Sequence, residues 1–344
     1  MAVTFTERYV DASATGGGTG TQADPWTLNE SLANVAAGDR VNVKAGTYNV
    51  TNDTCTTSGT RTSPIVFRGY KTTIGDLDNS NENLTSATDI PVVVTSTAGF
   101  GFNNCSFLSV NHMNFEGGPW GYQSTGFRMA VPYGSVRKCR FTSTGTGPGA
   151  NSIACVTGGT TTVYIDCYFS SSSTTGYEIL SSCAVALNCV FEGTGSSDGP
   201  PAIESSVNGA YNCLFINCST GIAISYNLQT VTIQGCLFYN PTQSGTAIRA
   251  TGAGYERLRI VKDCVFVNQS TAIDSLLTDA SNWYVDGCAY YNVATQLQDV
   301  PYQSNAITLT ADPFVSAANG NFNLNDFPGG GNLLRAKYYE LGGN

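Results

Sequence analysis

Two glutamates open the chemical case. Part of the chain aligns on a repeat of Thr or a substitute, a small residue, an apolar residue and a variable fourth. Glu178 and Glu204 take that fourth place in successive repeats. If each repeat is one coil of a stack, their backbones stand about 5 Å apart. That is near the carboxylate separation of retaining glycosidases, where one acid stays protonated in the field of the other. Arg249 and Asp274 take the same place further along, but so do Ala154 and Ala223. The column therefore also reads as a solvent-facing stripe whose charges are incidental.

Other chemistry-bearing residues are sparse. His112 is the only histidine, which excludes metal centres built on several imidazoles. It sits in Val110–Glu116, which alternates like a strand, and reads as a structural or surface residue. Asp76 and Asp78, with Asn79 and Asn81, offer oxygen ligands of the kind Ca²⁺ takes, without the full loop pattern. An ordinary polar loop accounts for them equally. Trp120, Tyr122, Tyr133 and Trp283 are candidates for a sugar-stacking platform or for loop and interface packing. Nothing in the sequence calls for a cofactor.

The elements that must position these residues come from a second, stronger repeat. An apolar strand ends in Cys-x-aromatic at Cys105, Cys139, Cys167, Cys189, Cys213, Cys236, Cys264 and Cys288. The steps between them centre near 24 residues. Period two inside each segment indicates a strand, and the long period between segments indicates a solenoid. The cysteines then form a structural column. A thiol is small and apolar enough for a crowded interior without oxidation, and the steps are too long for a zinc knuckle. Cys55, Cys155, Cys183 and Cys218 fall outside the column. Two residues after the aromatic, Asn217, Asn240, Asn268 and Asn292 suit an asparagine ladder at a sharp turn.

The Thr-small-apolar strip runs through Thr125–Arg128, Asn151–Ala154, Thr175–Glu178, Pro201–Glu204, Thr220–Ala223, Thr246–Arg249, Thr271–Asp274 and Thr295–Gln298. A coil of this length cannot bury its own apolar face, but stacking buries it on both sides. The fold expected is all-β: a single-stranded right-handed parallel β-helix solenoid with a short N-terminal capping helix over Leu28–Ala37. Residues 1–50 form the cap and first strands, 51–311 the coils, and 312–344 a C-terminal cap or tail.

Several segments resemble pectate-lyase-like β-helix proteins: Tyr9-Val10-Asp11, Thr15–Gly20, Asp24-Pro25-Trp26, Gly38–Val41 with Ala45–Tyr48, Pro64–Tyr70, and Asp312-Pro313-Phe314 with Phe322-Asn323-Leu324. The coils also look like β-helix proteins of tailed-phage virions. That superfamily holds lyases, hydrolases, tailspikes and silent virion proteins, so the resemblance implies fold more than activity. Its lyases use clustered Asp residues for calcium and a basic residue on an adjacent coil, and no such Asp cluster is apparent in this sequence.

Charge narrows the function. The net charge of −9 disfavours a nucleic-acid binder, and no apolar run approaches a membrane span. Met1 to Val10 is polar, with Glu7 and Arg8 where the apolar core of an export signal would sit. The reading is a non-enzymatic structural protein of a phage particle, a capsid decoration, fibre or tail component, with surface polysaccharide as its candidate ligand. It would be assembled in the host cytoplasm with other virion proteins. Self-association as a homotrimer is expected, through Asn332–Asn344 with Leu333, Leu334, Tyr338 and Tyr339. The alternative is a glycoside hydrolase or polysaccharide lyase acting through the Glu178/Glu204 face, and a third class is a bacterial adhesin.

Overall fold

From Cys139 onward, the residue before each cysteine of the repeat decides the geometry of a coil. Lys138, Asp166, Asn188, Asn212, Gly235, Asp263 and Gly287 all hold left-handed backbones, with φ between 49° and 64°. Asn, Asp and Gly are the types that tolerate this region, and a single such residue turns the chain sharply. The expected strand running through Cys-x-aromatic is therefore two strands. Val163–Ile165 and Tyr168–Ser171, on either side of Asp166, belong to different sheets.

The computed structural model describes residues 3–50, 54–78, 86, 88–95, 100–103, 105–117, 127–130, 133–143, 154–155, 162–172, 180–181, 185–195, 201–204, 207–224, 230–251, 258–276 and 282–340. Contacts group the chain into two compact units, Met1–Val190 and Phe191–Asn344. In the first, one parallel sheet takes Thr6–Val10, Asp39–Lys44, Ile65–Tyr70, Leu108–Asn111, Ser135–Arg137, Val163–Ile165 and Val185–Leu187 in that order. A second strip takes Gly46–Val50, Pro91–Thr95, Asn114–Gly117, Arg140–Ser143 and Tyr168–Ser171. A third takes Thr54–Cys55, Phe100–Asn103, Phe127–Ala130, Ala154–Cys155 and Leu180–Ser181.

The second unit repeats the plan. Its first sheet is Gly209–Tyr211, Val231–Gln234, Arg259–Lys262 and Trp283–Asp286. Long strands, Leu237–Ala250 and Val265–Ser275, pass from the second strip into the third. Each unit is thus a parallel β-solenoid with three strands to a coil.

Parallel register stacks like on like, and the core shows it. Phe115, Phe141 and Phe169 stack at 5.1 and 4.9 Å between ring centroids. Phe191, Phe215, Phe238, Phe266 and Tyr290 stack at 4.6 to 5.3 Å, their planes within 12° of parallel. The ten cysteines whose side chains are described are all buried free thiols. From Cys139 onward the column sulfurs bond carbonyls at the bend: Cys167 Sγ lies 3.3 Å from Ile165 O and 3.5 Å from Val136 O. Burial pushes the thiols of Cys139, Cys236 and Cys264 well up, and that of Cys218 up to about 12. Such thiols stay protonated and inert. We expect Cys213→Ala to cost about 1 kcal/mol, since one small buried group is lost, and Cys213→Asp several times more. Denaturant titration in reducing buffer measures both.

The column corrects the expectation at one member. Phe115, not Phe107, pairs with Phe141, so Met113-Asn114-Phe115 fills the place given to Cys105-Ser106-Phe107. Phe107 instead holds a left-handed backbone, and Cys105 Sγ bonds Cys55 O at 3.0 Å between two other strands. Methionine fills the same apolar space, which hid the substitution. Cys218 repeats the bend contact one turn later, with Sγ 3.4 Å from Ile216 O. Cys183 and the side chain of Cys155 lie outside the described residues.

Of the asparagines, Asn217, Asn268 and Asn292 hold left-handed backbones. Asn292 Nδ2 donates to Asn268 Oδ1 at 2.8 Å, Asn268 Nδ2 to Asn240 O at 2.9 Å, and Asn217 Nδ2 to Gly193 O at 3.4 Å. Asn240 differs in that it stands inside a long strand, buried, and donates to Ser244 O and Gln269 Oε1.

The ends close as helices. Leu28–Asn34 is three residues shorter than expected and begins with a capping box, Thr27 and Glu30 bonding each other's backbones. It buries Leu28, Ser31 and Leu32. At the other end, an antiparallel hairpin, Phe314–Ser316 with Asn321–Leu324, precedes a helix over Gly331–Glu340. Leu334 is buried against Ala289, Ile307 and Leu309, so this side chain of the expected contact segment covers its own unit's last coil.

Candidate functional site

The acidic column is only partly assembled. Glu204 is half-buried at the end of Pro201–Glu204, and register sets it beside Ala223, followed by Arg249, Asp274 and Gln298. Arg249 Nε lies 3.3 Å from Asp274 Oδ2 and its Nη2 donates to Thr246 Oγ1, so those two charges are matched to each other. Glu178 lies outside the described residues. In that part of the chain the alignment slips: Leu180, not Glu178, stands beside Ala154, and Ala154 stands beside Phe127. Loop lengths differ between coils there, so the alignment is off by two residues at Glu178 and by one at Arg128, and only the one-residue slip changes the face.

The other candidates have structural employment. Asp76 accepts backbone N–H bonds from Lys71, Thr72 and Thr73 at 2.8 to 2.9 Å, closing a turn. Burial would raise its carboxyl, but these bonds outweigh burial and hold it low. Asp78 pairs with Arg68 at 3.0 Å. Among the described residues no group of three or more His, Cys, Asp or Glu is placed to hold a metal ion. Tyr133 is exposed and stacks on Phe107. Trp283 is buried under Arg259 rather than facing outward. Trp120 and Tyr122 lie outside the described residues.

A different site emerges on the outer face of the first sheet of the first unit. Side chains two apart on a strand share a face, and the register aligns two such columns across five strands. One runs Glu7, Arg40, Val66, Ser109, Ser135, and the other Tyr9, Asn42, Arg68, Asn111, Arg137. His112 and Lys138 follow Asn111 and Arg137 at the left-handed bend. Glu7, Tyr9 and Asn42 apart, these residues line a cleft of about 410 Å³ with Phe5 and Asp78. Val66, Ser109 and Ser135 are small, which leaves room between the longer side chains, and the two serine hydroxyls lie 2.7 Å apart.

The polar groups of this cleft are unevenly matched. Arg40 forks onto the Glu7 carboxylate, which Asn42 Nδ2 also meets at 2.7 Å. Burial would raise the Glu7 carboxyl, but the bonds from Arg40 and Asn42 and the charges of Arg40 and Arg68 hold it below its ordinary value. Arg68 reaches Asp78 Oδ2 and Asn42 Oδ1, yet its Nε is buried without a partner among the described residues. Asn111 Oδ1 and both ring nitrogens of His112 are likewise buried and unpartnered among the described residues.

His112 is held firmly. Its backbone N–H donates to Arg137 O at 3.1 Å. One rung below, a Cβ on Gly69 would stand 1.8 Å from His112 O, so only glycine permits this approach. His112 as a whole is 8% exposed. Burial, then Lys138, Arg137 and Arg68 against the opposing field of Asp78, push its pKa down to about 4. It is a neutral ring among cations, able to donate from one nitrogen and accept at the other. The sequence carried a usable sign of this: His112 precedes Met113 as Lys138 precedes Cys139, the bend position of every coil. The cleft's arginines had no such sign.

With this geometry established, the comparisons fix the fold. The family model of the right handed beta helix region matches residues 125–290. No curated protein matches the sequence. Among solved structures the chain is similar to a rhamnogalacturonan lyase, at 15% identity over 98% of this chain and 99% of that one, with a TM-score of 0.65. It is similar to pectate lyase Pel9A at 13% identity, covering 92% and 85%, with a TM-score of 0.59. A mannuronic acid specific polysaccharide family 6 lyase from human gut microbiota follows at 13%, 89% and 68%, and 0.54. The chain is an all-β protein with a right-handed parallel β-helix fold.

Proposed function

We propose that this protein is a glycan-binding structural component of a phage particle, holding a surface polysaccharide in the cleft of its first unit. The observation that carries the reading is the convergence on one open cleft of buried hydrogen-bonding atoms of Arg68, Asn111 and His112 that have no partner among the described residues. Buried polar groups want partners, and sugar hydroxyls both donate and accept. The strands beneath are rigid and in register, which suits recognition by preorganised groups. Buried free thiols suit a chain that folds in a reducing cytoplasm before assembly. A homotrimer is the assembly we propose for the particle, to be read by light scattering on the purified chain and electron microscopy of the native assembly.

The similar folds include lyases, and a degrading enzyme acting through Glu204 makes a separable expectation. In the described register, Glu204 has Ala223 rather than a second acid beside it. We expect wild type to retain oligosaccharides from a broad panel without shortening them, and Glu204→Gln to bind unchanged. Unsaturated or reducing-end products from wild type, lost in Glu204→Gln, would replace binding with catalysis. Absence of binding to any glycan would overturn the reading.

A further inference from the structure

We propose that the cleft is an oxyanion site, in which Arg137 and Lys138 with Arg68 hold a carboxylate, sulfate or phosphate group of the ligand while His112 and Asn111 hydrogen-bond adjoining hydroxyls. This rests on the glycan-binding reading and adds the chemical class of the ligand.

The charge balance comes first. Arg40, Arg68, Arg137 and Lys138 line the cleft against Glu7, which pairs with Arg40, and Asp78 beside Arg68. Among the described residues Glu7 matches Arg40 and Asp78 matches Arg68, which leaves the Arg137 charge unmatched, in a chain whose net charge is −9. A local surplus of the minority sign on a concave surface focuses the field on an anion. The surplus sits at one end. Arg137 is exposed and has no carboxylate partner among the described residues, and Lys138 Nζ reaches the main-chain oxygen of Asp78 at 3.4 Å.

Spacing comes second. Arg68, Asn111 and Arg137 are register neighbours on three successive rungs, about 4.8 Å apart at the backbone. Two guanidinium groups flanking an amide can fork onto one oxyanion from both sides, the geometry arginine favours for carboxylate, sulfate or phosphate. The neutral imidazole is the third point. His112 as a whole is more than nine-tenths buried, both ring nitrogens lack partners among the described residues, and it lines the same cleft. A hydroxyl next to the anionic group would satisfy it, whereas a second anion would gain little from an uncharged ring.

Titration of the full-length chain with a neutral dextran oligosaccharide and its carboxylated, sulfated and phosphorylated forms tests this. At least one anionic form is expected to bind tenfold or more tighter than the neutral one, and which form does so identifies the group. That preference is expected to shrink as salt rises and to vanish in Arg137→Gln. Arg137 makes no described ion pair, so the variant's thermal unfolding is expected to match wild type and its binding loss to report on the site. Equal affinity for neutral and anionic forms, or an anionic preference untouched by Arg137→Gln, would overturn the oxyanion site while leaving glycan binding in place. No binding of any form in the titration or the wider panel would overturn both.

Discussion

Replacing Phe238 by Ala is expected to destabilise the chain by about 3–5 kcal/mol, the range for deleting a buried aromatic ring. Phe238 is 1% exposed and lies between Phe215 at 4.6 Å and Phe266 at 5.2 Å, nearly parallel to both. Its removal costs the transfer free energy of the ring and leaves both neighbours facing a void. A stack held by strand register has little freedom to collapse into that void, which places the expectation toward the upper end. Phe327→Ala serves as the control. That ring is 63% exposed, and its loss is expected to change stability by less than about 0.5 kcal/mol. Equilibrium denaturation of the two variants beside wild type makes the comparison. A loss below about 1 kcal/mol for Phe238→Ala would mean that the stack is not part of the stabilising core.

Acid is expected to weaken the fold through His112 before most carboxylates respond. The ring's pKa falls from an ordinary 6.5 to about 4 in the native chain. The unfolded chain therefore binds the proton first. The stabilisation is complete above about pH 6.5, declines as pH falls, and is exhausted near pH 4, an effect on the order of 3 kcal/mol. Below that window the carboxyls held low in the fold, Glu7, Asp76 and Asp286 among them, add their own loss. Because His112 is the only histidine, His112→Gln removes the whole histidine contribution. Denaturation midpoints at pH 7.5, 5.5 and 4.5 should fall steeply for wild type and stay flatter for the variant. Parallel profiles would show that the imidazole is not buried as a neutral ring.

The repeat was legible because a parallel solenoid places equivalent residues of successive coils side by side, so the same side-chain requirement recurs at the same step. The Thr-small-apolar strip of the second unit carried its register correctly from Pro201 to Gln298 for that reason. Legibility failed where a different residue met the same requirement, as Met113 does in the cysteine position, and where counting crossed variable loops, as at Glu178. The bend before the cysteines falls on Asn, Asp or Gly except at Lys138. Its meaning was not legible, because a turn of that kind shows itself in φ rather than in residue type alone.

The linear pattern of residues therefore specifies the coil: apolar alternation, an interior Cys and Phe column, and turns that permit stacking. The tertiary structure alone decided the cleft. Arg40, Arg68, Asn111, His112, Arg137 and Lys138 come from four coils separated by loops of unequal length, and no linear spacing relates them. Strand register brings them to one face. Only there do burial and neighbouring cations turn an ordinary histidine into a neutral ring whose two nitrogens have no partner among the described residues. A coil needs local patterning, which a linear chain carries, whereas a binding site needs the summed field and desolvation of residues that meet only after stacking.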